Sequence, residues 1–133
     1  MSSPDPRGSR PDTSALKGAR VLVVEDAWHV AEAMKLVLEG VEIRVVGPAA
    51  NVADALRLIT SQQLDLALVD INLKQETASG IIDDLHARGI PFIVVSGYAV
   101  PPVAMQKAAA FVQKPFSAKE LMVAISRVIG RLH

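Results

Sequence analysis

The chain contains no cysteine. Disulfides and thiolate metal sites are thereby excluded, and the chain fits a reducing compartment. Aromatic residues are scarce, at 4% against 50% hydrophobic residues overall, so the core is expected to be aliphatic. Neither sign of charge prevails, because 14 basic and 14 acidic side chains cancel. That balance lacks the electrostatic footprint of a nucleic-acid partner. Long hydrophobic runs are also missing. The longest apolar stretches are far too short to span a bilayer, and the N-terminus lacks the apolar segment of a signal peptide. A soluble, cytoplasmic protein without a membrane partner is expected. A length of 133 residues suits one domain with an ordinary core.

Met1 to about Lys17 holds Pro4, Pro6, Gly8 and Pro11 among Ser, Asp and Arg, without apolar periodicity. It reads as a flexible leader over residues 1–18, with a folded domain over 19–133. The folded part alternates strand-like and helix-like segments. Arg20–Val24 is a near-continuous apolar run of the kind buried on both faces. Val30, Met34, Val37 and Leu38 recur at helical spacing, with Gly40 as the stop. Glu42–Gly47 alternates, as a strand at or near an edge does. Val52, Ala55, Leu56 and Ile59 mark a second helix with Asn51 as its N-cap. Leu66–Val69 reads as the central strand, and a loop through Lys74–Ser79 leads to a helix bearing Ile81, Ile82 and Leu85, closed by Gly89. Phe92–Val95 is a fourth strand. Pro101-Pro102 opens a short, marginal helix through Val103–Ala109, and Ala110–Gln113 is a short fifth strand. Ser117-Ala118-Lys119-Glu120 is a capping-box pattern. It precedes an apolar stripe of Leu121, Ile125, Val128, Ile129 and Leu132. Five strand–helix units with short connections predict an α/β fold, a doubly wound five-stranded parallel sheet in the (βα)5 flavodoxin-like order.

Polar groups close these strands. Val21-Leu22-Val23-Val24 runs into Glu25-Asp26, Leu66-Ala67-Leu68-Val69 ends on Asp70, Phe92-Ile93-Val94-Val95 on Ser96, and Phe111-Val112-Gln113 on Lys114-Pro115. In a parallel α/β sheet the carboxyl ends of the strands share one crevice. Three carboxylates meeting there need a counter-charge. Two unit charges about 4 Å apart repel by roughly 4 kcal/mol at an effective dielectric near 20. Lys114 offsets only one of them. An all-oxygen donor set without His or Cys points to Mg²⁺. Taken one at a time, these residues have plainer readings. Glu25 and Asp26 can be solvated acids at a strand end, Ser96 can cap a turn, and Lys114 can be an exposed lysine after an edge strand. Together they suit a hard cation and a phosphoryl group, with Asp70 as the covalent acceptor.

Glu25-Asp26, Asp70, Ser96 and Lys114-Pro115-Phe116, in this order and each after a strand, resemble the receiver domain of two-component response regulators. The resemblance covers about Ala19 to His133. Gly47-Pro48, Asp70-Ile71-Asn72-Leu73, Ser79-Gly80 and Gly89-Ile90-Pro91 also look like receiver segments. Pro91 to Tyr98 resembles a subgroup of stand-alone, single-domain receivers marked by a Phe-x-x-Thr/Ser-Gly-Tyr stretch, in which a Thr is common where this chain has Ser96. The resemblance implies that Asp70 is the phosphoacceptor for a histidine kinase or histidine phosphotransfer protein. Mg²⁺ would be held by Glu25, Asp26, Asp70 and the backbone carbonyl of Asn72. Lys114 and Ser96 would bind phosphoryl oxygens, Ser96 and Phe111 would form the switch, and Asn72 and Tyr98 would tune the lifetime of the acyl phosphate. It further implies a cis Lys114–Pro115 bond, a downstream protein target, a homodimer through the fourth and fifth helices, and no turnover activity. Ala27 departs from receivers that carry a third acid there, and Ala109-Ala110 departs from the Ala/Gly pattern often seen before the fifth strand.

Two other classes compete. One is a receiver-like interaction module that works without phosphorylation. The other is a metal-dependent phosphohydrolase with an aspartyl intermediate, against which Asn72 stands where a second acid would be needed. Phe111 is either a switching aromatic or a fixed core residue. Trp28 lies beside the pocket or is a half-exposed packing residue. His29, His86 and His133 lack ligand spacing and are assigned to the surface or to helix ends.

Overall fold

Runs of aliphatic residues wide enough to be covered on both sides set the sheet. The computed structural model describes residues 14–73, 76–97 and 102–130. Strands β1 (Arg20–Val24), β2 (Arg44–Ala49), β3 (Leu66–Asp70), β4 (Phe92–Ser96) and β5 (Ala110–Gln113) alternate with helices α1 (Trp28–Glu39), α2 (Val52–Ser61), α3 (Ser79–Ala87), α4 (Pro102–Lys107) and α5 (Ala118–Gly130). All strands pair in parallel in the order β2-β1-β3-β4-β5. This is the expected flavodoxin-like order, with β2 at an edge.

The strand period of two divides the core into two layers. Val21, Val23, Leu66, Leu68, Ile93 and Val95 face Met34 and Leu38 of α1 and Leu121, Ile125 and Ile129 of α5. Leu22, Val24, Ala67, Val69 and Val94 face the other way, onto Ile59 of α2 and Ile81, Ile82 and Leu85 of α3. β3 and β4 are buried at every position, so the residues that end them are carried into the crevice on a rigid support.

Two local readings are corrected. β2 begins at Arg44 and runs past Gly47-Pro48 to Ala49, two residues beyond the expected end at Gly47. Gly47 has φ +90, and a Cβ there would come within 2.8 Å of Ala49 N and 3.2 Å of Val23 O. Glycine therefore permits a bulge, seen as a register shift between Leu22 and Val24, instead of ending the strand. Gly40 is the expected stop, serving as the C-cap of α1. It stays right-handed at φ −62, and the chain reverses at Glu42, whose φ is 64. Finally, Ser14–Leu16, read as part of the leader, forms a 3-10 turn whose Leu16 is 1% exposed and packs in the α1/α5 layer. One apolar residue has no period to reveal it. The rest of the expected leader, residues 1–13, lies outside the described residues, as do Lys74, Tyr98, Pro101, Leu132 and His133.

Other signals match. Asn51 caps α2 by accepting from Asp54 N at 2.8 Å. Ser117 and Glu120 exchange the two bonds of a capping box, at 3.1 and 3.3 Å. Gly89 follows α3 at φ 69. α4 is short, six residues in all.

Candidate functional site

The strand ends converge as the topology requires. Glu25 follows β1, and its backbone N–H donates to Ala49 O at 2.9 Å, so β2 fixes where the chain leaves the sheet. Asp26 is next and half-buried, while Asp70 closes β3 at 3% exposure. One carboxylate oxygen from each of Glu25, Asp26 and Asp70 falls within 4.8 Å of the others. Lys114, directly after β5, places Nζ 2.6 Å from Glu25 Oε1 and 3.3 Å from Asp70 Oδ2. The Lys114–Pro115 bond is cis, as is Gly47–Pro48, which the sequence reading did not single out.

Asp70 is held at both oxygens. Its Oδ1 accepts from the Asn72 backbone N–H at 3.0 Å and its Oδ2 from Lys114. Ser96, buried at the end of β4, receives a hydrogen bond on Oγ from the Asn72 side-chain amide at 2.9 Å. The Ser96 carbonyl accepts from the Lys114 backbone N–H at 2.9 Å. Glu25 Oε2 accepts from the Ala27 N–H at 3.3 Å. The buried Oε1 has the ion pair with Lys114 but no hydrogen bond of good geometry among the described residues.

Burial and the neighbouring Asp70 push the Glu25 carboxyl up to about 7, although Lys114 and the Ala27 N–H pull the other way. Burial works against the charge on Lys114, but Glu25 and then Asp70 outweigh it and raise its pKa above the ordinary lysine value. A cluster with three acids and one lysine is thus short of positive charge. Its donors are all oxygens, the set that suits a hard divalent cation.

The crevice therefore gathers Glu25, Asp26, Asp70, Asn72, Ser96 and Lys114. Phe111 lies apart on β5, 42% exposed in a groove against α5 lined also by Lys119, Val123 and Arg127. The fixed-core reading of Phe111 does not hold, because β5 is an edge strand and its outward positions meet no covering layer. Trp28 opens α1 at 76% exposure, more open than a packing residue, with its ring edge-on to His29. The sequence reading missed the backbone contacts from Ala27 and Ala49 and the Asn72–Ser96 bond. The first two are made by the backbone of an alanine, so no residue type marks them. The third joins residues whose pairing depends on strand order.

A search of curated protein sequences found no significant match. Among solved structures, the chain is similar to a CheY-like response regulator receiver domain protein from Methanospirillum hungatei. The two share 26% identity and superpose with a TM-score of 0.79 over 86% of this chain and 96% of the other. The non-phosphorylated HemR receiver domain from Leptospira biflexa is 27% identical with a TM-score of 0.75, covering 84% and 94%. The receiver domain of a sensor histidine kinase from Pseudomonas aeruginosa, solved with a magnesium ion coordinated in the active site cleft, is 25% identical. Its TM-score is 0.75, over 85% and 98% of the two chains. The sequence profile of the response regulator receiver domain matches residues 21–126, from β1 into α5. The chain belongs to the response regulator receiver domain family.

Proposed function

We propose that this receiver takes a phosphoryl group from a phosphohistidine onto Asp70 and passes the signal on by changing its protein contacts or relaying the phosphate. One observation carries the reading. Asp70, backed by a fully buried strand, lies between a lysine and two further acids whose carboxylate oxygens sit within 4.8 Å of its own. Membership of the family implies a two-component partner kinase, and receivers are in general signalling modules instead of turnover enzymes.

The residues present fit Mg²⁺. Burial and the nearby Asp70 carboxylate raise the Glu25 carboxyl, the conflict that a divalent ion relieves. Glu25 and Asp26 would hold it directly or through water, together with Asp70 and the backbone carbonyl of Asn72. The magnesium site of the Pseudomonas aeruginosa receiver supports this assignment. When bound, the ion offsets negative charge on the transferring group.

The chain's own residues do the rest. One carboxylate oxygen of Asp70 forms the new O–P bond as the P–N bond to the donor imidazole breaks. A donor protonated on its other ring nitrogen leaves as neutral imidazole. Lys114 binds one phosphoryl oxygen as a point charge, and the Ser96 hydroxyl donates to another. Later hydrolysis returns the Asp70 carboxylate and inorganic phosphate. By family resemblance Asn72 and Tyr98 would tune the lifetime of the acyl phosphate, and the face bearing α4 and α5 offers the surface for a target or a second copy.

Acetyl phosphate with Mg²⁺ is the direct test. It should add one acid-stable, base-labile phosphoryl group, read by intact mass, and Asp70→Asn should block it. Labelling that survives in the variant would remove Asp70 as acceptor. A wild-type protein that resists both acetyl phosphate and a phosphorylated kinase would leave the phosphorylation-independent interaction module.

A further inference from the structure

Asn72 bonds in two directions at once. Its backbone N–H donates to Asp70 Oδ1 at 3.0 Å, while its side-chain amide donates to Ser96 Oγ at 2.9 Å. Lys114 closes the circuit, with Nζ 3.3 Å from Asp70 Oδ2 and its backbone N–H 2.9 Å from the Ser96 carbonyl. Four residues from three strand ends thus form a ring around the acceptor carboxylate. Asn72 is the member that ties the acid to the hydroxyl.

A serine hydroxyl has one donor proton and two acceptor sites, and it rotates freely unless a neighbour selects an orientation. An N–H aimed at Oγ takes an acceptor site and turns the O–H away from the amide. Ser96 is 3% exposed, so bulk water competes poorly for that acceptor site. Donation by the O–H to a phosphoryl oxygen is compatible with acceptance from the amide, so the bond need not break when the phosphoryl group arrives.

We propose that Asn72 is a positioning residue for Ser96, its side-chain amide holding the hydroxyl ready to donate to a phosphoryl oxygen on Asp70. The inference rests on the phosphoacceptor reading and deepens it, because it gives the Asn72 side chain a protein partner in addition to any effect on water.

A double-mutant cycle tests it, with the phosphorylation rate from acetyl phosphate as the readout. Asn72→Ala should slow phosphorylation by about fivefold, the worth of a neutral hydrogen bond. In a Ser96→Ala background the same substitution should cost nothing further. In a Ser96→Thr background, which keeps the hydroxyl, the loss should return. Independently of any phosphodonor, the side-chain amide resonances of Asn72 should shift in Ser96→Ala. Equal losses in the wild-type and Ser96→Ala backgrounds would overturn the proposal, as would amide resonances that ignore residue 96. A wild-type protein that accepts no phosphoryl group would overturn the phosphoacceptor reading instead, and this role with it, even where the amide shift is seen.

Discussion

Glu25 is pulled toward its protonated form by burial and by Asp70, to a pKa of about 7 from an ordinary 4.5. A carboxyl raised on folding stabilises the protein fully below its unfolded value and loses that contribution as pH rises through the folded one. Metal-free protein should therefore lose stability between about pH 5 and about pH 8, in contrast to a carboxylate stabilised by its partners. Lys114, raised above the lysine value, keeps its charge throughout this window. Thermal unfolding of wild type and Glu25→Gln across the window checks the sign: the midpoint should fall more steeply with pH in wild type. Parallel curves would show that Glu25 is already ionised at the low end. Because a metal ligand must shed its proton, Mg²⁺ affinity should rise over the same interval. Fluorescence of Trp28, the sole tryptophan, two positions past Asp26, can follow the titration. Most of this site was legible in the sequence, since Glu25, Asp26, Asp70, Ser96 and Lys114 each close or follow an apolar run. The balance of charge was legible too. Burial of Glu25 was not, because nothing in a strand-end acid says how deeply its carboxylate reaches.

Elements were legible where a side chain makes the local structure and obscure where the backbone makes it. Asn51 and the Ser117/Glu120 pair announce their helices because their oxygens satisfy amides that the first turn leaves open. The end of β2 hides because Gly47 looks like punctuation and acts as a bulge. The turn after α1 hides because a glutamate, Glu42, adopts its left-handed conformation. The capping box matters for function as well as stability. It starts α5 four residues after Lys114 and fixes the frame on which the lysine is carried. Ser117→Ala removes the bond to the Glu120 N–H and should cost about 1 kcal/mol. A urea titration checks this, with a lowered midpoint and an unchanged slope. A loss indistinguishable from zero would mean that packing of Leu121, Ile125 and Ile129 alone decides where α5 begins.

At the scale of the whole molecule, a rigid centre carries a weakly held edge. The two aliphatic layers bury many side chains, each worth about 1.5–3 kcal/mol relative to exposure. A phosphoryl group on Asp70 would add one or two charge-assisted hydrogen bonds, about 1.5–3 kcal/mol apiece. That is too little to unpack either layer. It is enough to shift a balanced two-state element more than tenfold. α4 is the element suited to such a shift. It has six residues, and its Lys107 is tied to Asp83 of α3 by an ion pair at 3.0 Å between partly exposed side chains, a contact of small net worth. The neighbouring β5 is an edge strand whose Phe111 stands partly in solvent. The order of the strands was expected from the doubly wound fold class, since periodicity gives elements without their neighbours. The relative weakness of α4 was legible from its short, weakly amphipathic run. Hydrogen exchange with and without beryllofluoride, a phosphate mimic, tests the consequence. Protection should change along Pro102–Lys107, Ala110–Gln113 and the first turn of α5, while β1 and β3 stay as they were. Changes confined to α1 and α2 would place the output surface on the opposite side of the sheet's centre, away from Phe111.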